Sequence, residues 1–214
     1  MIDKSTINKM IKLAEKHNVR SDPSHDITHL KRVLANAVFI ASKEGADLDV
    51  VVPAAIFHDL ITYRKDDKRS KNAQAESARL AGRILKRMGF KKQKIKSIEY
   101  AIEVCSFSKN IKPKTLEAKV LQDADLLEAT GAISIMRTFA SSGVMQRAFY
   151  NERDPFCKNR KPNSLNYSVD LFYDRLLIAR GRMHTKTAKN LALKRTKFLI
   201  EFIKQLKREL RVFS

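Results

Sequence analysis

Apolar side chains recur every three to four positions along most of the chain, the spacing that places them on one face of an α-helix. Residues 4–18 carry a first such stripe, and a second helix is predicted over about 28–44, where Gly45 would end it. Residues 48–60 are apolar almost all round, which predicts a buried central helix. Its Pro53 is expected near the first turn, where proline is tolerated. The amino-terminal part of the chain is therefore predicted to consist of helices.

The remainder of the chain repeats this pattern, with one exception. Helices are predicted over 70–88, 91–106, 115–129, 131–140, 169–180 and 185–211. Residues 141–168 contain glycine, asparagine and proline without any period, and they are expected to form a long loop of the kind that is often functional or mobile. Because the chain shows neither an alternating strand pattern nor an internal repeat, the fold class is predicted to be all-α, with one domain over residues 1–214.

The composition is that of a globular protein, with 43% hydrophobic and 31% charged residues. No apolar run approaches the length of about 20 residues that a membrane-spanning helix needs, so no membrane partner is expected. The N-terminal helix carries charges throughout and lacks the apolar centre of a signal peptide, which favours a cytoplasmic location. Cys105 and Cys157 lack the spacing of a zinc site and are expected to be free thiols.

The net charge of +20 and the isoelectric point near 10.1 mark a strongly basic protein. Such a protein attracts nucleic acid, anionic membranes or polyphosphate substrates. The alternative is that the charge serves solubility or reflects the composition of the host's proteins. The basic residues are dispersed, and no interleaved aromatic motif, glycine-rich basic tail or zinc knuckle accompanies them. Nucleic acid is therefore a secondary candidate partner.

A histidine and an aspartate, His58 and Asp59, stand side by side at the end of the predicted central helix. Neutral imidazole and carboxylate are both good ligands for divalent metal ions. By itself such a pair is more typical of a hydrogen bond at a helix end. The chain offers further residues of the same chemistry on either side, namely His25, His29, Asp123 and Asp125.

These flanking residues narrow the choice only in part. His25 and His29 are four positions apart and would share one face of a continuous helix, but His25 falls in the turn before that helix. Asp123 and Asp125 interrupt an apolar helix, and residues two positions apart do not share a face. Only one of the two aspartates should therefore reach a metal. The other would cap a helix, orient a ligand or contact substrate, and a solvent-exposed role is the alternative for both.

His29, then His58-Asp59, then Asp125, in this order on helices, resemble the HD superfamily of metal-dependent phosphohydrolases. The likeness to one small bacterial and archaeal subfamily extends over nearly the whole chain. It rests on Ser24-His25-Asp26-Ile27-Thr28-His29, Ile56-Phe57-His58-Asp59, Glu76-Ser77-Ala78, Ser106-Phe107-Ser108, Gln122-Asp123-Ala124-Asp125-Leu126-Leu127-Glu128-Ala129, Phe172-Tyr173-Asp174-Arg175-Leu176-Leu177 and Met183-His184-Thr185-Lys186.

The resemblance implies an all-helical HD domain whose metal-binding core spans about residues 20–140, followed by the long loop and two C-terminal helices. By analogy, the ligands of its single divalent ion are His29, His58, Asp59 and Asp125. Asp125 is preferred to Asp123 because the family's last aspartate usually follows a small residue and precedes a leucine-rich step. The ion could be Mn, Mg, Fe, Co, Ni or Zn. Water on this metal would attack the phosphorus atom of the substrate, with His58 and Asp59 at the catalytic centre.

Phosphate chemistry also requires groups that neutralise negative charge. Candidates for contact with the substrate or its phosphate are His25, Lys31, Arg32, Arg64, Asp123 and Arg137. Arg137 follows the aspartate motif and resembles an arginine that the family carries there. For each cation taken alone, a surface role is an equally good interpretation.

The chain departs from other branches of the superfamily. Thr62-Tyr63-Arg64 stands where the alarmone hydrolases carry a Glu-Asp pair, and the histidines are too few for the cyclic-dinucleotide and two-metal branches. Relatives often have a histidine where Cys105 precedes Ser-Phe-Ser. We therefore expect a mononuclear phosphohydrolase acting on a small phosphorylated substrate such as a nucleotide. Nucleoside triphosphate pyrophosphohydrolase activity is implied by analogy alone.

Two other interpretations stay open. One is a basic nucleic-acid-associated module with a structural or vestigial metal, which the lysine- and arginine-rich final helix favours. The other is a stress-related scaffold in which Cys105 has replaced catalytic machinery.

Overall fold

The computed structural model describes residues 2–17, 27–63, 67–106 and 111–211. These residues form helices and loops without any β-strand, which confirms the prediction of an all-α fold. The chain divides into two compact units, and the boundary falls between Asp125 and Leu126. The single domain over residues 1–214 stays a prediction.

The first unit is built around a buried central helix. Its helices are α1 (Lys4–His17), α2 (Ile27–Glu44), α3 (Leu48–Phe57), α4 (Ala73–Arg87), α5 (Lys92–Glu103) and α6 (Leu116–Leu126), with a short 3-10 helix (Lys68–Asn72) before α4. Every residue of α3 from Val50 to Phe57 is buried, and α1, α2 and α5 all pack against it. A fully buried valine, isoleucine or phenylalanine contributes about 1.5–3 kcal/mol. The core of this unit therefore fixes α3 and, with it, the residues that follow α3.

The ends of α2 and α3 test the predicted boundaries. Gly45 follows α2 with a φ of 76°, a left-handed conformation that glycine adopts without strain, as predicted. The central helix ends at Phe57 rather than at Leu60, so that prediction is wrong by about one turn. Pro53 is the sixth residue of α3 and does not lie in its first turn. The His58-Asp59 pair therefore lies just beyond the helix, where side chains are not confined to one helical face.

The second unit packs its two long helices, α7 (Gly131–Val144) and α8 (Lys186–Arg211), against each other. Shorter helical turns accompany them: a 3-10 turn at Leu127–Ala129, a π turn at Phe172–Leu176 and a 3-10 turn at Ala179–Arg182. Aromatic rings fill the space around α7, and the centroid of Phe139 lies 5.9–6.5 Å from the rings of Phe149, Phe172 and Phe202. Within the described ranges, no helix combines the length and the apolarity needed to cross a membrane.

Two predicted boundaries of the second unit differ from the structure. Helix α7 continues to Val144, past the predicted end at Ala140, so the long loop begins later than residue 141. The predicted continuous helix over 169–180 is instead a π turn followed by a 3-10 turn.

No disulfide joins Cys105 and Cys157, as predicted.

The long segment after α7 is held together by its own polar side chains. Both carboxylate oxygens of the buried Asp170 accept hydrogen bonds from the guanidinium of Arg160, at 2.5 and 2.7 Å. The backbone N–H of Asn163 donates to the same carboxylate at 2.6 Å. Arg160 also donates to the carbonyl of Asp154 at 3.0 Å. We call this group, Asp154, Arg160, Asn163 and Asp170, the loop cluster.

Candidate metal centre

Three helix ends of the first unit bring together two histidines and an aspartate. His29 lies in the first turn of α2, His58 directly follows α3, and Asp125 lies in the last turn of α6. One ligand atom from each of the three lies within 4.8 Å of the other two. Both histidines are 1% exposed, whereas 24% of the Asp125 side chain is exposed. The C-termini of α3 and α6 add partial negative charge, which favours a bound cation.

The distances among these side chains suit a shared cation. His29 Nε2 lies 3.7 Å from Asp125 Oδ1. Asp59 Oδ2 lies 3.7 Å from His29 Nε2 and 3.4 Å from His58 Nε2. These separations exceed the usual length of a hydrogen bond. Two donor atoms that each lie about 2.1 Å from one ion are about 3.0–3.4 Å apart, depending on its coordination number. Separations of 3.4–3.7 Å are close to this range, so the residues fit a shared divalent ion.

A backbone contact sets the orientation of the His58 ring. Its Nδ1 lies 2.8 Å from the carbonyl oxygen of Ala55. Because a carbonyl only accepts hydrogen bonds, Nδ1 must carry a proton and donate it, which leaves the lone pair of Nε2 in the neutral ring directed at the carboxylates. His58 Nε2 is buried and has no hydrogen-bond partner of acceptable geometry in the described residues. In metal-binding histidines, one ring nitrogen usually donates a hydrogen bond to the protein while the other binds the metal.

The electrostatics of the group also favour a positive charge. Burial of the His58 imidazole disfavours its protonated form, but the carboxylates of Asp59 and Asp125 outweigh burial and raise the pKa of His58 to about 9. Without a metal the site thus retains a proton between its acidic groups. A divalent cation can replace that proton, since ligation requires the neutral imidazole.

The remaining candidates from the aspartate motif and the following helix, Asp123 and Arg137, are not part of this group of ligand atoms. Asp123 is fully buried on α6, two positions before Asp125, and does not belong to the group of ligand atoms. Arg137 lies in the second unit, where its Nη1 is 3.8 Å from the buried carboxylate of Glu128. The sequence motif includes Glu128 but does not indicate this pairing.

The candidates on and before α2 divide into described and undescribed residues. Lys31 is exposed, and half-buried Arg32 donates from Nη1 to the Thr28 hydroxyl on the same helix at 2.9 Å. His25 and Arg64 lie outside the described residues.

Sequence reasoning missed the contacts of Glu76-Ser77, which it noted only as part of a motif. Both residues lie on α4. Their side chains form hydrogen bonds with Ile61 and Tyr63, in the segment that follows the His58-Asp59 pair. The sequence did contain a signal for these contacts, because polar residues of a motif on the buried side of an amphipathic helix indicate buried hydrogen bonds.

The chain is similar to known proteins in both sequence and structure. The family model of the HD domain matches residues 26–130. The Bacillus subtilis protein YpgQ is 30% identical over 190 residues, which cover 87% of this chain and 84% of that protein. The crystal structure of YpgQ in complex with ADP has a TM-score of 0.74 and 29% identity, and covers 95% of this chain and 97% of that chain. An HD-superfamily hydrolase from Bacillus thuringiensis has a TM-score of 0.76 and 26% identity, with coverage of 97% and 98%.

Proposed function

The chain belongs to the HD-domain family, and from this premise we propose that it is a metal-dependent phosphohydrolase. It has the fold of the HD-superfamily hydrolases. Its substrate would be a nucleotide or a similar small phosphorylated compound, in which it cleaves a phosphoester or phosphoanhydride bond. The observation that carries the proposal is the group of His29, His58 and Asp125, in which buried imidazole nitrogens face carboxylates.

Four residues of this chain would hold the metal, namely His29, His58, Asp59 and Asp125. A divalent ion bound there would lower the pKa of a coordinated water and polarise a phosphoryl oxygen. The bond from His58 Nδ1 to Ala55 keeps Nε2 available as a ligand. The side chains of Asp59 and Asp125, 21% and 24% exposed, form the solvent side of the group, where a substrate would approach. Mixed imidazole and carboxylate ligands suit Mn, Fe, Co, Ni or Zn better than Mg.

The substrate class is supported by two independent observations. The related YpgQ has been crystallised in complex with ADP, which supports a nucleotide for this chain as well. The net charge of +20 attracts anionic substrates and accelerates their encounter with the protein. Among the cations, Arg137 stays a candidate for binding phosphate because it follows the aspartate motif, as an arginine does in the family, and its Nη1 lies 3.8 Å from the carboxylate of Glu128.

A phosphatase panel tests the proposal. The purified protein, supplied with Mn, Co, Ni or Mg, should release phosphate or pyrophosphate from some nucleotide or phosphate ester. His58→Ala and Asp59→Ala should reduce that release to background, because each removes a ligand. His17→Ala is the matched control, since His17 is an exposed histidine at the end of α1. Turnover that persists in both ligand variants would contradict the proposal.

The nucleic-acid-associated module is the less favoured alternative, because the matching proteins of described activity are hydrolases. Binding of RNA or DNA that weakens steeply with salt, in a protein with no turnover on the panel, would reverse this preference.

A further inference from the structure

The segment that follows the His58-Asp59 pair is irregular, yet it must hold Asp59 in place. Helix α3 has ended at Phe57, and residues up to Tyr63 belong to no helix. Ligand atoms have to lie within about 0.2 Å of their ideal distances from a metal. The direction of the Asp59 carboxylate therefore depends on what fixes the backbone after it.

Ser77 of α4 holds this backbone at Ile61. The N–H of Ile61 donates to Ser77 Oγ at 3.0 Å, and Ser77 Oγ donates to the carbonyl of Ile61 at 3.3 Å. A single hydroxyl can accept and donate at once, so it satisfies both backbone groups of one residue. Ser77 is 0% exposed, which excludes water from competing for these bonds. The two residues are 16 positions apart, and packing of α4 alone brings them together.

The neighbouring residue Glu76 holds the other end of the same segment. The hydroxyl of Tyr63 donates to Glu76 Oε2 at 2.6 Å. The guanidinium carbon of Arg69 lies 4.7 Å from the centre of the Tyr63 ring, on its face, and further restrains it. Adjacent residues of one helix thus fasten the segment at two points, two residues apart.

We propose that Ser77 is a positioning residue for the metal centre, acting through the backbone of Ile61 on Asp59, with Glu76 and Tyr63 as a second attachment. The inference rests on the proposed function. It assigns to the Glu76-Ser77 pair a role in the affinity and geometry of the metal rather than in contact with substrate. Removing a group that hydrogen-bonds a ligand directly weakens metal binding by about 10–100-fold, and a support that acts through the backbone should lie at the lower end of this range.

Metal titration of the Ser77→Ala variant tests the proposal. Binding of Mn²⁺ or Co²⁺, followed by calorimetry, should weaken by about 10-fold. The visible spectrum of bound Co²⁺, which reports coordination geometry, should change. Ser77→Thr retains the hydroxyl and should restore most of the affinity and the spectrum of the wild-type protein.

Ser134→Ala is the matched control for loss of a buried serine hydroxyl. Ser134 is 1% exposed, and its hydroxyl donates to the carbonyl of Gly131 within α7, at 2.7 Å. Both variants should lose stability, but only Ser77→Ala should lose metal affinity. Tyr63→Phe offers a gentler test at the other attachment, since it deletes one hydrogen bond and keeps the ring. Its loss of affinity should be about 2–10-fold.

The outcomes separate this inference from the proposed function. Wild-type affinity and an unchanged Co²⁺ spectrum in folded Ser77→Ala would overturn the positioning role of Ser77, and the same result in Tyr63→Phe would remove the second attachment. Either result would leave the proposed function intact. If the wild-type protein bound no metal, the proposed function and this inference would both be wrong. The same holds if His58→Ala bound metal as tightly as the wild-type protein does.

Discussion

Two clusters, each built around a buried polar side chain, use similar residue types in opposite ways: the candidate metal centre around His58 and the loop cluster around Asp170. In the loop cluster, both oxygens of Asp170 accept hydrogen bonds from Arg160, and Asn163 donates a further one. In the metal centre, His58 Nε2 and the carboxylate of Asp59 face each other at 3.4 Å. A cluster whose donors and acceptors are matched stabilises the fold, whereas one rich in facing acceptors needs a cation.

The pKa values express the same contrast. Burial would raise the pKa of Asp170, but its hydrogen bonds with Arg160 and with the Asn163 N–H outweigh burial and hold that pKa below its usual range. The pKa of His58 is raised to about 9 despite burial, because Asp59 and Asp125 place two carboxylates beside it. In the loop cluster, Arg160 neutralises the negative charge of Asp170. Around His58, the two carboxylates carry more negative charge than one imidazole can neutralise.

The largest expected effect is on metal binding, from Asp125→Asn. Loss of a carboxylate ligand should weaken Mn²⁺ binding by more than about 100-fold, since removal of an outer partner alone costs about 10–100-fold. Asp123→Asn is the matched variant two positions away, at a fully buried aspartate outside the group of ligand atoms. It should lower stability and leave metal affinity near that of the wild-type protein. Equal loss of affinity in the two variants, measured by calorimetry, would remove the preference for Asp125.

The loop cluster should respond in stability instead. Arg160→Ala leaves the buried carboxylate of Asp170 without its partner, which typically costs about 3–5 kcal/mol. Because the Arg160 side chain is 23% exposed, we expect the lower end of that range, about 3 kcal/mol. Urea unfolding measures this loss, and Arg153→Ala, at an exposed arginine of the same segment, is the control. A large loss of metal affinity in Arg160→Ala would show that the two clusters do not act independently.

The two clusters should also depend on pH in opposite directions. The lowered pKa of Asp170 contributes stability that is present above pH of about 4 and is lost as the pH falls through the folded pKa. The raised pKa of His58 in metal-free protein contributes stability that is full below pH of about 6.5 and is lost as the pH rises through about 9.

Unfolding of metal-free protein with a chelator, followed from acid to alkaline pH, tests this contrast. Stability should fall at both ends, by about 1–3 kcal/mol at the alkaline end. His58→Ala should remove the alkaline loss alone, and Arg160→Ala should change the acid side alone. With Mn²⁺ in place of the chelator, the alkaline trend should reverse, because the metal binds the neutral imidazole. An alkaline loss that remains in His58→Ala would have another source.

Hydrophobic spacing predicts the amphipathic helices of the first unit, such as α1, α2, α4 and α5, because each of them buries one apolar face. It fails at the end of α3. Because this helix is buried on all sides, its sequence shows no alternation of apolar and polar positions that could mark its last residue, Phe57. It also fails at the end of α7, where Ser141 and Ser142 are polar and yet buried. The Ser141 hydroxyl donates to the carbonyl of Thr138, so the helix accommodates it. Pattern therefore predicts which segments are helical better than where they end.

The candidate ligands were accessible from the sequence because metal chemistry restricts the residue types, and the resemblance supplied their order. Their supports were not accessible. Every residue has a carbonyl, so nothing in the sequence distinguishes the Ala55 carbonyl that orients His58. The contact between Ser77 and Ile61 exists only once α4 has packed. The choice of Asp125 over Asp123 stays a proposal until the metal titrations above are made.

The smallest effects should come from two glycines of α7, and they sharpen the comparison because they change stability through backbone conformation and packing, without changing any charge. Gly131 has a φ of 71°, and a Cβ there would lie 3.1 Å from the Cβ of Arg195. Arg195 approaches this closely because it donates from Nη1 to the carbonyl of Leu127 at 3.2 Å. Gly131→Ala should therefore cost about 1–3 kcal/mol. At Gly143 nothing lies within 4 Å of an added Cβ, so Gly143→Ala should stabilise the helix by about 0.5–1 kcal/mol. Thermal unfolding measures the loss of stability expected at Gly131 and the gain expected at Gly143. Neither variant should change Mn²⁺ affinity if the metal centre depends on the first unit alone.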